Sequence, residues 1–349
     1  MREKAGIFVA KSPDCAHIFK RVIYVAAVCL CGGLVLFLAG LRLLALGLEA
    51  LWGTAFAGML QRLTGSRLAA FCSGLCFTAL TQSSSLTTVL VVGLTEAGLL
   101  PLQAAIGVII GANVGTTVTG QLLSFNLADY ALLPAVLGLL LLACGGKKTR
   151  LAGWALVGFA VMLWGMKLLA SAVVPLQETR WFATVLALAA RSPLAGVAVG
   201  AAAAAIVQSS SAVAGVTLSL ARAGILNLSA GAAIMMGADI GTCTDTLLAG
   251  FFSGKTGRQA AFAHLLFNVC SVILLWPALP LLLRLAAASA QSLPRQLANV
   301  HTLYNLCGAC LMLFLLKPFQ TLVESFVGSE RLVKKRILPP FSEMIRKWF

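Results

Sequence analysis

Long apolar stretches alternate with short polar interruptions along almost the whole chain. The apolar stretches fall at 22–46, 68–80, 84–100, 101–123, 130–146, 151–175, 196–207, 210–226, 228–252, 260–284 and 299–317. A helix needs about 20 apolar residues to cross a bilayer, and several of these stretches are shorter than that. The short ones form adjacent pairs around two copies of the polar sequence Gln-Ser-Ser-Ser. Because non-helical backbone at membrane depth must be buried in protein or line a wet cavity, each pair predicts a re-entrant helical hairpin.

The second half of the chain repeats the first at a nearly constant offset. Gln82 and Gln208 are 126 residues apart, and Gly-Ala-Asn-Val-Gly-Thr at 111–116 returns as Gly-Ala-Asp-Ile-Gly-Thr at 237–242. Upstream, 40–44 corresponds to 165–169 at an offset of 125. Each unit is therefore predicted to contain a span, a hairpin and a second span that its glycines break.

The number of crossings between the two hairpins predicts how the repeats are related. A hairpin returns the chain to the side from which it came, and three predicted spans separate the two hairpins. Since three is odd, the second hairpin enters from the opposite face, which is the inverted-repeat arrangement of secondary transporters. We therefore predict an all-α integral membrane protein with two inverted repeats. Its predicted parts are a basic N-terminal segment at 1–21, a first repeat at 22–146, a basic loop at 147–150, a second repeat at 151–284, a connecting segment with the last span at 285–318, and a basic tail at 319–349.

Composition supports a membrane protein and excludes several other classes. The chain is 60% hydrophobic and only 11% charged, whereas soluble domains carry about 25% charged residues. A soluble enzyme, a disordered protein and a nucleic-acid-binding module are therefore excluded. The net charge of +15 comes mostly from the chain ends and short loops, as expected for cytoplasmic segments beside anionic lipid. We expect a multi-pass protein of the cell membrane with a cytoplasmic C-terminus.

The two polar tips have the chemistry of an anion site. Serine is a favoured N-cap, and the first N–H groups of a helix lack partners within that helix and carry the positive end of its dipole. Two such ends can hold one oxyanion near the midplane without Arg or Lys. The alternative is that these hydroxyls only join helices, but the equivalent placement of the two tips favours a ligand site. The candidate anion ligands are Gln82, Ser83, Ser84, Ser85, Gln208, Ser209, Ser210 and Ser211.

The glycine-containing segments and the hydroxyls beside them offer oxygen ligands for an alkali cation. Carbonyls freed by a helix break, with side-chain oxygens of Asn, Thr or Asp, would bind such an ion; the alternative is close helix packing through Gly-x-x-x-Gly. An ionisable residue inside a membrane segment usually has a function. Asp239 stands where the first copy has Asn113, and Asp245 where it has Thr119, so one of them is expected to bind a cation or take up a proton. The candidate sodium ligands are Thr87, Asn113, Thr116, Thr117, Asp239, Thr242 and Asp245.

Two His-x-x-x-Asn pairs follow, His264 with Asn268 and His301 with Asn305. Residues four apart lie on one helix face. We expect these pairs to form hydrogen bonds that fix the helices, because a metal site would need further ligands for which the sequence offers no clear source.

These motifs resemble those of the type II sodium-dependent phosphate cotransporter family. The resemblance rests on the doubled Gln-Ser-Ser-Ser, on the Gly-Ala-Asn/Asp-x-Gly-Thr segment about thirty residues after each, and on the His-Leu-Leu-Phe-Asn and His-Thr-Leu-Tyr-Asn segments. It covers roughly 30–318 and implies that inorganic phosphate is cotransported with sodium. It also implies that both tips line the phosphate and sodium sites, with Asn113, Thr116 and Thr117 beside them. The acidic residues of the second copy depart from the family pattern and leave the sodium stoichiometry open.

Taken together, the sequence predicts a secondary active symporter that works by alternating access, and not an enzyme. Its partners would be phosphate, sodium and the lipid bilayer, with no organic cofactor and no nucleic acid; a homodimer is one assembly open to it. A symporter of another small anion, such as a carboxylate, remains an alternative, since a helix N-terminus also binds carboxylates. An intramembrane serine hydrolase is disfavoured because the chain lacks a Gly-x-Ser-x-Gly turn. A channel would show no saturable, sodium-driven uptake.

Overall fold

The computed structural model describes residues 13–63, 66–125, 127–176 and 179–328, and every regular element within these ranges is helical. This confirms the predicted all-α class. The first eight helices are α1 Pro13–Leu63, α2 Arg67–Thr81, α3 Ser84–Glu96, α4 Leu102–Ser124, α5 Leu132–Cys144, α6 Lys147–Leu176, α7 Arg180–Arg191 and α8 Pro193–Val207. The remaining helices are α9 Ser210–Arg222, α10 Leu228–Gly241, α11 Cys243–Phe251, α12 Lys255–Leu275, α13 Leu279–Ser289, α14 Leu293–Phe314 and α15 Leu316–Val327. A short 3-10 turn at Ala128–Tyr130 precedes α5.

Five segments of the described chain are long and apolar enough to cross a membrane. They are Tyr24–Leu51, Leu102–Ser124, Lys147–Ala172, Lys255–Leu275 and Leu293–Phe314. Helices α2, α3, α8 and α9 are apolar but contain only 13 to 15 residues. At 1.5 Å per residue such a helix is about 20 Å long, which is shorter than the roughly 30 Å hydrocarbon core. The chain thus combines full-length spans with helices that are too short to cross.

We call α2 with α3 the first helical pair, and α8 with α9 the second helical pair. The two pairs have the same local backbone geometry at an offset of 126 residues. Each first helix ends at a glutamine in the left-handed region, with φ of 55° at Gln82 and 57° at Gln208. Each second helix then begins after an extended N-cap serine, Ser83 or Ser209. The sequence repeat is therefore also a repeat of backbone conformation.

The predicted break of the glycine-containing span is wrong for the first copy, because α4 runs without interruption from Leu102 to Ser124. A Cβ atom on Gly111 would collide with the Phe71 carbonyl of α2, and one on Gly115 would crowd the Leu75 carbonyl. The glycines therefore let two helices approach closely and do not interrupt one. In the second copy, α10 and α11 are separated only by a one-residue turn at Thr242.

The outer ends of the two helical pairs lie at opposite ends of α4. At the end of α3, the Glu96 carboxylate accepts hydrogen bonds of 3.0 Å from Thr256 Oγ1 and Gly257 N at the start of α12, and α4 begins just after that end. At the end of α9, Arg222 Nη2 donates a 2.9 Å hydrogen bond to the Phe125 carbonyl, just beyond the C-terminus of α4. Since a 23-residue helix is about 34 Å long, the end of α3 and the end of α9 lie far apart along α4.

The tips of the two pairs lie beside α1, and the first tip also bonds to α11 through Ser85 and Asp245. Helices α1 and α6 pack with backbones in close approach, because Gly40 faces the backbone of Met162. The fully buried Phe37 of α1 belongs to the same core as Met162 and also packs against Gly215 of α9. This close packing fixes the neighbouring face of α1 against the tips.

Candidate functional site

The two Gln-Ser-Ser-Ser tips line one shared cavity of about 260 Å³. Because a water molecule occupies roughly 30 Å³ in the liquid, the cavity could hold a small anion with several waters. Both Ser84 and Ser210 line it, so residues 126 apart in sequence meet at one place. Its lining consists of Leu38, Leu41, Arg42, Ala45, Gln82, Ser83, Ser84, Ser85, Gln208, Ser209, Ser210, Ser211, Thr242 and Asp245.

Each tip presents the N-terminus of a helix to this cavity. Ser83 Oγ caps α3 by accepting a 3.2 Å hydrogen bond from Leu86 N, and Ser209 Oγ caps α9 by accepting a 3.1 Å bond from Ala212 N. Each cap occupies one backbone N–H of a first turn, while the helix dipole still places partial positive charge at the tip. The two helix ends and their serine hydroxyls are therefore suited to an oxyanion.

The two tip glutamines are held differently. The buried Gln82 accepts a 2.8 Å hydrogen bond at Oε1 from Thr119 Oγ1 of α4, and its Nε2 donates to the Ala79 carbonyl at 2.5 Å. Gln208 is exposed, and its side chain makes no hydrogen bond to any residue of the described ranges. The first amide is fixed by its own repeat, whereas the second is free to reach a solute.

A carboxylate enters the cavity from the first turn of α11. Asp245 Oδ2 accepts a 2.5 Å hydrogen bond from Ser85 Oγ across the two repeats. Asp245 Oδ1 is buried without a hydrogen-bond partner in the described part of the chain. The cavity thus contains a carboxyl group with an unused oxygen beside its serine-lined anion side.

The other sequence-predicted cation ligands lie outside this cavity. Those on the first repeat bond back to their own helical pair or helix: Thr87 to Thr78 at 2.7 Å, Asn113 to the Ile109 carbonyl at 3.0 Å, Thr116 to the Ala112 carbonyl at 3.0 Å and Thr117 to the Val114 carbonyl at 2.7 Å. Of the seven predicted cation ligands, the structure brings only Thr242 and Asp245 to the cavity of the tips.

Asp239 is instead bound by one of the His-x-x-x-Asn pairs. Its Oδ2 lies 2.9 Å from His301 Nε2 and 2.9 Å from Asn305 Nδ2, both on α14. All three side chains are buried. This pair therefore connects α14 to α10, in agreement with the expected role in fixing helices.

The other His-x-x-x-Asn pair connects α12 to α11. His264 Nδ1 lies 2.9 Å from Thr246 Oγ1, which lies 2.8 Å from Thr88 Oγ1 of the first helical pair. Asn268 Nδ2 contacts Cys243 Sγ at 3.3 Å. A chain of hydroxyls thus connects α3 to α12 outside the cavity.

Sequence reasoning missed the contribution of α1. Leu38, Leu41, Arg42 and Ala45 line the cavity at positions i, i+3, i+4 and i+7, which form one face of a helix. The available signal was a single charge in the middle of an apolar stretch. The structure therefore brings an arginine to a site for which the sequence predicted only dipoles and hydroxyls.

Comparison with known proteins places this architecture in a family. The model of the Na+/Pi-cotransporter family matches the chain twice, over residues 36–171 and 161–317. Among curated proteins, the chain is similar to "Uncharacterized protein YqeW" of Bacillus subtilis, with 30% identity over 241 residues, which is 69% of this chain and 78% of that protein. No solved structure matches the chain.

Two further relatives carry a functional name. The protein named "Putative inorganic phosphate export protein YjbB" of Escherichia coli is 28% identical over 245 residues, covering 70% of this chain and 45% of that protein. Its namesake in Salmonella typhimurium is 27% identical over 240 residues, covering 68% and 44%. The chain thus matches less than half the length of these two relatives. The matches of the family model extend over most of the chain, and the protein therefore belongs to the Na+/Pi-cotransporter family.

Proposed function

We propose that this protein is a secondary active transporter that moves inorganic phosphate across the cell membrane together with sodium. The observation that carries the proposal is the meeting of two serine-capped helix N-termini in one cavity. Family membership and the name of the YjbB relatives support phosphate as the oxyanion. Membership of this family also supports a transport role over a catalytic one.

Phosphate is proposed to bind between the two tips. Backbone N–H groups of the first turns of α3 and α9 would donate to its oxygens, together with hydroxyls and amides of the tips. These side chains are Gln82, Ser83, Ser84, Gln208, Ser209, Ser210 and Ser211, while Ser85, whose hydroxyl donates to Asp245, would line the site. The helix N–H groups and the two capping serines are already oriented before the ion arrives, so these donors require little reorganisation. A free Gln208 amide would complete the contact from the second helical pair.

Sodium is proposed to bind as co-substrate on the acidic side of the same cavity. Asp245 Oδ1 has no hydrogen-bond partner among the described residues, and Thr242 also lines the cavity. A cation held there would offset part of the negative charge of phosphate and thereby couple the two binding events. The buried oxygens of Thr87, Asn113, Thr116, Thr117 and Asp239 form a second candidate set for a coupling ion.

We propose that the two repeats are inverted and alternate access to the cavity by rocking. The helical pairs are too short to cross the bilayer and their outer ends lie at opposite ends of α4, which supports re-entrant hairpins from opposite faces. The repeats would extend over 22–146 and 151–284, with the C-terminus in the cytoplasm. The YjbB relatives are named for export; a symporter moves its solutes in either direction, according to the combined gradients.

The proposal is tested by phosphate uptake into proteoliposomes that contain the purified full chain. We expect saturable uptake that rises when an inward sodium gradient is imposed and falls by at least about ten-fold in Ser84→Ala, because one buried contact to a charged ligand contributes roughly 1.5–3 kcal/mol. Competition should come from arsenate and not from dicarboxylates. Inhibition by dicarboxylates alone would favour the carboxylate symporter, and uptake unaffected by sodium would refute sodium coupling.

The sodium site is tested by comparing two charge-removing substitutions. Asp245→Asn should raise the half-saturating sodium concentration by about ten-fold or more, with a smaller change in the KM for phosphate. Asp239→Asn removes a carboxylate outside the cavity and tests the second candidate set; a smaller sodium effect there would assign the ion to Asp245, and a larger one to that set. An unchanged sodium dependence in Asp245→Asn would refute the assignment of Asp245.

A further inference from the structure

The one basic side chain that lines the cavity of the two tips is Arg42 of α1, the only Lys or Arg among its lining residues. Arg42 lies within the apolar span Tyr24–Leu51, nine residues before its end, which corresponds to about 13 Å along the helix. A charge at such depth is rare unless it faces a cavity and serves a function. Its position between Leu38 and Ala45, which also line the cavity, places it on the helix face turned toward the tips.

Arg42 has no counterion among the residues that the structure describes. Within the ranges that the structure describes, it makes no hydrogen bond and no ion pair. Asp245 lines the same cavity but does not pair with it, and instead accepts from Ser85. The guanidinium donors of Arg42 are thus available to a solute.

The equivalent position of the second repeat shows the contrast. Lys167, at an offset of 125, forms an ion pair of 2.8 Å with Asp129, and both side chains are more than half exposed. Lys167 is absent from the lining of the cavity. The two repeats therefore share a basic position, but only the first repeat turns it toward the tips and leaves it without an acid.

We infer that Arg42 is an anion-binding and specificity-determining residue of this transporter. Its planar fork of donors matches two oxygens of a phosphate ion, a geometry that a lysine cannot reproduce. The positive charge faces the anion, while Asp245 supplies the negative charge for the cation. The neutral helix ends at the tips then orient the oxyanion, and Arg42 favours the more highly charged solute.

This inference rests on the proposed function, and both are tested in one set of proteoliposome measurements. The KM for phosphate is measured at saturating sodium, and the half-saturating sodium concentration at saturating phosphate. The proteins are the wild type, Arg42→Gln, Arg42→Lys and, as a matched control, Lys167→Gln. Thermal unfolding in detergent shows whether each variant is folded.

We expect Arg42→Gln to raise the KM for phosphate roughly 10- to 100-fold, since it removes a charged hydrogen-bonding partner. The half-saturating sodium concentration should change less than about two-fold, which a general structural defect would not achieve. Arg42→Lys should give an intermediate KM, because it keeps the charge but loses the fork. Lys167→Gln should behave as the wild type.

The outcomes separate the two claims. If the wild type takes up no phosphate, the proposed function fails and the inference fails with it. If the wild type transports phosphate and Arg42→Gln retains its KM, only the inference is overturned. If Arg42→Gln does not fold, a wild-type KM in Arg42→Lys overturns the inference, because the fork would then be unnecessary. An equal rise in Lys167→Gln would also overturn it.

Discussion

The two helical pairs have the same backbone conformation at their tips but differ in the side-chain hydrogen bonds that attach them. The first pair is joined internally by Thr78 and Thr87, and externally to α11 by the bonds Ser85–Asp245 and Thr88–Thr246. At the positions that correspond to Thr78, Thr87 and Thr88, the second pair has Ala204, Val213 and Ala214, which carry no hydroxyl. Gln82 is buried and bonded, whereas Gln208 is exposed.

This difference shows that the two helical pairs are not equivalent in their side-chain hydrogen bonds. The position equivalent to Thr246 in the first repeat is Gly120, so the mirrored arrangement cannot form the Thr88–Thr246 bond. A buried hydroxyl pair contributes about 1 kcal/mol, which corresponds to roughly a five-fold change in population. These hydroxyl bonds therefore attach the first pair, whereas α9 of the second pair is held by the burial of most of its residues and by the Arg222 bond to the Phe125 carbonyl.

The largest effect is expected at Gly74 and Gly200, which occupy equivalent positions in the two helical pairs and make the same kind of close helix contact. A Cβ on Gly74 would collide with the backbone of Val108, and a Cβ on Gly200 with the backbone of Ile234. Gly74→Ala and Gly200→Ala should each destabilise the protein by at least about 3 kcal/mol, because the helices cannot stay in contact. Thermal unfolding of the purified variants in detergent measures this loss.

The matched control for these glycines is Gly93→Ala in α3. Its Cβ would meet open space, so it should be neutral or stabilising by up to about 1 kcal/mol. A normal melting temperature in Gly74→Ala or Gly200→Ala would contradict the close packing of that repeat.

A smaller effect is expected from releasing the tip of the first pair. Thr119→Val removes the hydroxyl that donates to Gln82 Oε1 and leaves the buried amide oxygen unpaired. The KM for phosphate should rise about five- to ten-fold, in keeping with a buried hydrogen bond of 1–1.5 kcal/mol. Uptake kinetics in proteoliposomes provide the measurement.

Thr217→Val is the control for this change within the second pair. Thr217 is also buried, but its hydroxyl bonds only to the Val213 carbonyl of its own helix. Its KM should stay within two-fold of the wild type. Equal shifts in the two variants would show that the Thr119–Gln82 bond has no special part in holding the tip.

The smallest effect comes from the serine caps, and it distinguishes the two pairs. Ser83→Ala and Ser209→Ala each remove a cap that contributes about 1 kcal/mol. In Ser209→Ala, amide hydrogen exchange across α9 should become about five-fold faster. In Ser83→Ala, exchange across α3 should change less, since bonds to Asp245 and Thr246 still hold that helix.

Hydrogen-exchange mass spectrometry on peptides from both helices makes this comparison within one experiment. If hydrogen exchange in α3 and α9 were accelerated equally by their respective substitutions, the bonds from α3 to Asp245 and Thr246 would have no part in holding that helix.

Much of the fold was predictable because its signals are local. The lengths of the apolar stretches and the polar Gln-Ser-Ser-Ser interruptions depend on neighbouring residues, and they predicted where α2, α3, α8 and α9 end or begin. The break expected at Gly111 and Gly115 was wrong because a glycine in a helix permits two outcomes. Only the presence of α2 against those glycines decides for close packing, and that is a long-range contact.

The composition of the cavity was less predictable for the same reason. The serines could be recognised because Gln-Ser-Ser-Ser occurs twice at equivalent positions. Arg42 is only a single charge in an apolar stretch, which is a much weaker signal. Its place in the cavity depends on how α1 packs on α6, about 120 residues away in sequence. Likewise, the repeat alone could not distinguish Asp245, which lines the cavity, from Asp239, which α14 binds elsewhere.

The left-handed glutamines at the two tips have a consequence for the evolution of this fold. Residues other than glycine pay about 1–2 kcal/mol to adopt that conformation, and Gln82 and Gln208 are the non-glycine positions that do so in the described chain. Selection for stability alone would favour glycine at both of these left-handed positions. A side-chain amide at both positions therefore needs a role that offsets this cost, and the phosphate binding proposed above is such a role.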